Sequence, residues 1–381
     1  MPAWEAHDQP NKESASTMAI QVGSAHGKAG QIVYGTFDAL PLPTGGSEFF
    51  PVIIAQGREA DQPVLWLTAN IHGGEYDGIA VIHHLIAPEL LPHLRGTLVA
   101  IPTLSPAGLR TGERSPYYLG GKDPNRLFPG LPVPDTDHPN DFAPALEQAY
   151  GRLFERISAT ATYLIDLHDF GIRSIPFAFR DPVFYNGAAD KLVAEKLQET
   201  VGQMLDALGL TVVNEYASAR YMELDLHRSV SGAALNRARI PAVTIEIGGQ
   251  KAVNTDHVQA VVAGMRNVMR WAGMLPGPAE PLPDIPIIKP DYPVRRTIHP
   301  RVPQACIIHH LVQPGDLLAP GDAVARMVDI YGRSVGPDGG LLRTKFEGFV
   351  LGLFPGMAFY PNDAIVGLAI RDRNELVVQA P

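Results

Sequence analysis

The chain reads as an α/β protein: a mixed, mostly parallel sheet covered by helices, followed by a small all-β C-terminal domain. Three observations lead there. Short apolar runs alternate with helical stretches of ten to twenty residues between about residues 46 and 275, the pattern of crossover units that lay strands side by side in parallel. Seven prolines between Pro276 and Pro293 then interrupt everything. Beyond them no helical period returns, and Pro-Gly-Asp turns punctuate short apolar runs.

In chain order, residues 1–45 are a polar lead with short strands, and Pro41, Pro43, Gly45 and Gly46 make a turn. Strands are predicted near 49–56, 63–70 and 96–102, with a helix near 77–91 between the last two. A helix near 142–159 leads into the apolar strand Tyr163-Leu164-Ile165-Asp166-Leu167-His168. Helices near 187–208 and 254–273 flank a further strand, Ala242-Val243-Thr244-Ile245-Glu246-Ile247. These elements make 46–275 one α/β domain, 276–293 a stiff linker or ordered strap, and 294–381 a small β domain expected to cap any cleft in the first. Within that last part, Phe359-Tyr360-Pro361-Asn362 is expected to border the cleft. The paired Gly-Asp turns around Leu317-Leu318-Ala319 resemble a biotinyl or lipoyl hairpin, but Ala325-Arg326-Met327-Val328 offers no acceptor lysine.

Composition narrows the function. A net charge of −9 argues against nucleic acid or an anionic membrane as partner, since both want a basic face. The single cysteine, Cys306, excludes an intramolecular disulfide and a cysteine-rich metal site. No basic start precedes an apolar core at the amino end, and no apolar run approaches the ~18 residues of a membrane span, so the expected location is the cytoplasm. Whether the chain forms a homo-oligomer is left open.

The chemistry begins at Asn70-Ile71-His72-Gly73-Gly74-Glu75. An imidazole and a carboxylate three residues apart, on a glycine turn off the carboxyl end of a buried strand, can both reach one metal ion where open α/β sheets bind ligands. A catalytic zinc takes three protein ligands and keeps a fourth position open. His168 arrives at the end of another buried strand as the third, with Asp166 and Asp169 beside it to hold its second ring nitrogen. Asp225-Leu226-His227 repeats the same spelling after a poorer strand, which leaves His227 as a loop residue or substrate contact. His83-His84 on a helix and His309-His310 on a strand diverge too far to share an ion and are read as structural. Glu246 lies inside an apolar strand that ends in Gly248-Gly249, where a carboxylate is costly unless it is paired or works at a cleft. Arg114 and Arg126 on the Gly- and Pro-rich loop offer guanidinium forks for a substrate carboxylate or a carbonyl, and Asn125 adds an amide beside Arg126.

Together the His-Gly-x-Glu-like pair, the Asn-Arg loop, the strand-end Asp-Leu-His and the Thr-x-Glu-x-Gly strand resemble the succinylglutamate desuccinylase/aspartoacylase family of the zinc carboxypeptidase superfamily, over roughly residues 48–275. The resemblance implies one zinc ion per chain on His72, Glu75 and His168, with Glu246 as catalytic base. It implies Asn125 and Arg126 on the substrate's carboxylate and Arg114 on the scissile carbonyl. The expected reaction is zinc-dependent hydrolysis of a linear amide in an N-acyl amino acid or related small N-acyl amine, with a small carboxylate-bearing molecule as substrate. A metallocarboxypeptidase acting on short peptides uses the same parts, and a non-catalytic metal-binding scaffold is the third reading. This chain has His-Gly-Gly-Glu where many relatives carry Gly-Asn between the ligands, and no counterpart of the aspartate-selecting arginines and tyrosine is evident.

Overall fold

A computed structural model describes residues 20–59, 63–131 and 144–381. Its centre is four parallel strands side by side, Thr97–Ile101, Val64–Ala69, Tyr163–His168 and Ala242–Glu246. These runs are mainly apolar because both sheet faces are covered, and Leu65, Trp66 and Leu67 are wholly buried. Antiparallel strands close both flanks: Ser47–Gln56 and Gln31–Pro41 on one side, Phe177–Arg180 on the other. The α/β reading of the sequence therefore stands, with a sheet of 13 strands that is mixed rather than uniformly parallel.

The helices are Asp77–Leu85, Ala145–Thr160, Gly187–Leu208 and Thr255–Trp271, with short ones at Pro106–Thr111, Ser218–Glu223 and Val230–Asn236. The first ends before the predicted residue 91. Pro88 disfavours a helical Ala87, which is extended at φ −117° and ψ 159°, and Pro88–Leu90 continues only as a 3₁₀ turn. Gly187–Leu208 stops at Gly209, whose φ of 80° is the left-handed cap that glycine adopts without strain. Thr255–Trp271 starts where the Asn254 side chain accepts from the His257 N–H. No described helix is long and apolar enough to cross a membrane.

The proline-rich segment is fastened along the helical layer. Met274 O accepts from Arg95 N, Glu280 exchanges hydrogen bonds with the Asn267 side chain, and Leu275, Leu282 and Ile285 pack on the main core. The strand Val294–Ile298 then hydrogen-bonds beside Thr211–Asn214, and Val366–Arg371 and Gly348–Leu353 follow it, so the large sheet continues into the C-terminal part. A second sheet of four strands, ordered Leu341–Arg343, Ala323–Val328, Cys306–His310 and Ala358–Phe359, lies within that part. The final strand, Val377–Gln379, returns to pair with Val183–Tyr185.

Candidate active site

Side chains alternate between the two faces of a strand, and register decides which residues of neighbouring strands meet. Asp166 and His168 lie opposite Thr244 and Glu246, and Thr244 lies opposite Phe179. Asp181 follows Phe179 by two, and Glu215 follows Asn214, which pairs with both Arg180 and Arg295. One sheet face at the carboxyl ends of the parallel strands thus gathers His168, Glu246, Asp181, Glu215 and Arg296. They line a cleft of about 430 Å³ together with His72, Glu75, Arg114, Asn125 and Arg126.

The loop that delivers His72 and Glu75 is held from below. Asn70 adopts a left-handed φ of 51°, which asparagine tolerates better than most residues. Its buried side chain donates to the carbonyls of His72, Gly73 and Glu75 at 3.2, 3.3 and 2.7 Å. Gly73 must lack a side chain, because a Cβ there would lie 2.0 Å from the Gly108 backbone. His72 Nδ1 and His168 Nδ1 each stand 2.9 Å from a different oxygen of Glu75, and all three residues are buried. Their ligand atoms lie within 4.8 Å of one another, a His₂Glu donor set that fits zinc. The remaining ring nitrogens are held as metal-binding imidazoles require: His168 Nε2 by Asp166 at 2.7 Å and His72 Nε2 by Asp123 at 3.0 Å. Burial alone would lower the His168 pKa, yet Asp166 and Glu75 hold it well above the usual imidazole value. Burial likewise opposes ionisation of Glu75, but the two imidazoles keep it well below the usual carboxylate range.

Of the two aspartates expected to steady His168, only Asp166 does so, and Thr68 Oγ1 orients it at 2.7 Å. Asp169 turns away and accepts from the backbone N–H groups of Asp77 and Gly248. Burial of this Asp77–Asp169 pair lifts Asp77 to about 6 and Asp169 well above its usual value.

Glu246 is the anomaly. It is 8% exposed, and its Oε2 has no hydrogen-bond partner among the described residues. Burial raises its pKa to about 7. Arg114 is about half exposed, bonded to Asp123 at 2.8 Å and 3.6 Å from Glu75. Asn125 reaches His168 at 3.4 Å while its Oδ1 accepts from Val230 N. Arg126 donates Nε and Nη1 to the carbonyls of Leu224 and Asn125, both at 2.6 Å. His227 lies elsewhere, accepting from Leu131 N at 3.1 Å. His83, His84 and His309 are exposed, and His310 meets Ile365 O. Phe359–Asn362 does not line the cleft; the C-terminal part contributes Arg296, Ile298, Phe354 and Pro355 instead. The sequence reading also missed Asn70, Asp123 and Gln250, which donates to Glu75 at 3.2 Å. Only Asn70 carried a local signal, an asparagine opening a glycine turn.

The family model described as succinylglutamate desuccinylase/aspartoacylase catalytic domain matches residues 61–272. The chain belongs to the succinylglutamate desuccinylase/aspartoacylase family. It is 24% identical over 295 residues to N-alpha-acetyl-L-2,4-diaminobutyric acid deacetylase of Halomonas elongata, covering 77% of this chain and 78% of that one. Solved structures share the fold. A succinylglutamate desuccinylase from Silicibacter sp. TM1040 aligns with a TM-score of 0.68 at 18% identity, over 90% of this chain and 95% of the other. The product-bound ectoine utilization protein EutE (DoeB) from Ruegeria pomeroyi aligns at 0.66 with 21% identity, over 89% and 95%.

Proposed function

We propose that this member of the family is a zinc-dependent deacylase that hydrolyses the amide bond of an N-acyl amino acid. The observation that carries the reading is Glu246, a buried carboxylate with an unpartnered oxygen beside the convergent His72, Glu75 and His168. A structural acid in such a place would be paired. Family membership and the deacetylase relative support the same reaction class.

His72, Glu75 and His168 would hold the ion, with Asp123, Asp166 and Gln250 fixing their orientation. Bound zinc supplies a Lewis acid and a water that ionises near neutral pH. Glu246 accepts the proton lost in the attack on the carbonyl carbon and delivers it to the departing nitrogen, so acid and amine leave as separate products. Burial raises its pKa above the usual carboxylate value, the direction that suits a group that must both take and give a proton. Arg114 places positive charge at the rim, where oxyanion character develops on the scissile carbonyl. Asn125, buried beside His168, and Arg126 contact the substrate from the loop side of the cleft, where Arg126 keeps only its second terminal nitrogen for the purpose.

The test is metal content together with turnover. The purified protein is expected to carry about one zinc per chain and to deacylate members of a panel of N-acetyl and N-succinyl amino acids. Turnover confined to short peptides would make it a carboxypeptidase, and zinc without any amide turnover would make it a scaffold.

A further inference from the structure

Three arginines line the cleft, and their hydrogen bonds separate them. Arg126 commits two of its nitrogens to backbone carbonyls, and Arg114 is a half-exposed partner of Asp123. Arg296 is different. Its side chain is 15% exposed and ion-paired through Nε to Glu215 Oε1 at 2.5 Å. Its guanidinium carbon sits 4.7 Å from the Phe179 ring centroid and 4.3 Å from that of Tyr216, so two aromatic rings fix it. Among the described residues none of its nitrogens makes an aligned hydrogen bond: Nε is buried and unpartnered despite its closeness to Glu215, and neither terminal nitrogen has a partner.

A planar fork that lines the cleft with both tips open suits a carboxylate taken by two parallel bonds. Glu215 balances the charge of Arg296 as an ion pair on the Nε side, without an aligned hydrogen bond. The placement also gives a direction. Arg296 belongs to a strand three places from that of Glu246, yet its guanidinium leans back over Phe179, on the strand adjoining that of Glu246. Strands lie about 4.8 Å apart, so the fork stands within one or two strand spacings of the base. A leaving nitrogen beside Glu246 would carry its own substituent towards Arg296. Ile298 and Phe354 supply apolar wall on that side.

We infer that Arg296 binds the carboxylate on the amine half of the substrate, which directs the leaving amino acid inward and the acyl group towards Arg114 and the cleft mouth. The inference rests on the deacylase reading for its substrate and deepens it by assigning an orientation.

The experiment compares the zinc-loaded parent with Arg296→Gln and Arg296→Lys. Substrates are N-acetyl-L-2,4-diaminobutyrate, N-acetyl-L-aspartate and N-acetyl-L-methionine, each also as its C-terminal amide, and N-succinyl-butylamine. Calorimetric titration with the free amino acids and their amides runs in parallel. For the free acids, Arg296→Gln should lower kcat/KM by roughly 10²-fold, mostly through KM, the loss of a charge-assisted pair of bonds. The amides should change less than about threefold, and zinc content should not change. Arg296→Lys should restore part of the loss, since it keeps the charge without the fork. Equal losses on acids and amides would make Arg296 a structural residue and overturn the inference. A loss confined to N-succinyl-butylamine would reverse the orientation and overturn it as well. If the parent deacylates none of these compounds, the deacylase reading fails, and the titration still decides whether Arg296 binds an amino acid's carboxylate.

Discussion

Replacing Glu246 with Gln tests both the chemistry and its energetic cost. The change keeps the shape of the side chain and removes the proton acceptor, so zinc content should persist while turnover falls at least ~10²-fold. A second effect follows from burial. Raising a carboxyl group from its usual 4.5 to about 7 means that the ionised form is disfavoured in the fold by about 3 kcal/mol. The sign is that of a raised pKa: the stability associated with the protonated group is complete below pH 4.5 and is lost as pH rises through about 7. In metal-free protein the parent should therefore lose about 3 kcal/mol relative to Glu246→Gln between pH 4.5 and pH 7, with little further change above. Any constant cost of the buried amide shifts the variant's curve without bending it. Urea unfolding of chelator-treated protein at pH 4.5, 6 and 8 measures the difference. Parallel curves for parent and variant would refute the claim that Glu246 ionises against its surroundings. Normal turnover by the variant would remove it as the base. Restoring zinc should move the transition to lower pH, because a nearby dication favours the carboxylate.

Further outcomes concern the metal and the loops. His72→Ala and His168→Ala should each remove most of the zinc measured by atomic absorption, whereas His227→Ala should retain it; the reverse result would exchange the two histidines. Asp123→Asn or Asp166→Asn should weaken zinc binding about 10- to 100-fold in a competitive chelator titration, because each steadies the far nitrogen of a ligand. Arg126→Ala should raise KM several-fold for carboxylate-bearing substrates and less for their amides, with unchanged zinc content. Gly73→Ala should lower the thermal midpoint and the zinc content together, since a Cβ cannot share space with the Gly108 backbone.

Much of the fold was legible because its strands are apolar runs between strong breakers, and Gly187–Leu208 falls where its periodicity predicts. The helix from Asp77 was overextended because the apolar period runs through Pro88, where the backbone cannot follow. The candidate site was legible where a chemical residue interrupts an apolar strand or a glycine turn, as at His72, Glu75, His168 and Glu246, which converge. It was illegible where the partner comes from far along the chain. Asp123 meets His72 across 51 residues and Gln250 meets Glu75 across 175, pairings fixed by sheet order rather than local spelling. Arg296 follows the proline-rich segment in a strand whose charges look solvent-facing, and only its register beside Asn214 brings it into the cleft.

That register also explains why Glu246 stands apart from the other acids. Four carboxylates on this face of the sheet are buried at the ends of adjoining strands, a costly arrangement unless each finds a donor. Asp166 takes the Thr68 hydroxyl and His168, Asp181 takes the Tyr221 hydroxyl at 2.9 Å, and Glu215 takes Arg296 and the Tyr216 N–H. Each of those acids is matched by a residue of this chain. The unmatched oxygen of Glu246 lies next to the His72, Glu75 and His168 group and within electrostatic reach of Arg114 and Arg296. A fold that satisfies three acids and leaves the fourth open at that point is what the proposed role of Glu246 as proton acceptor requires.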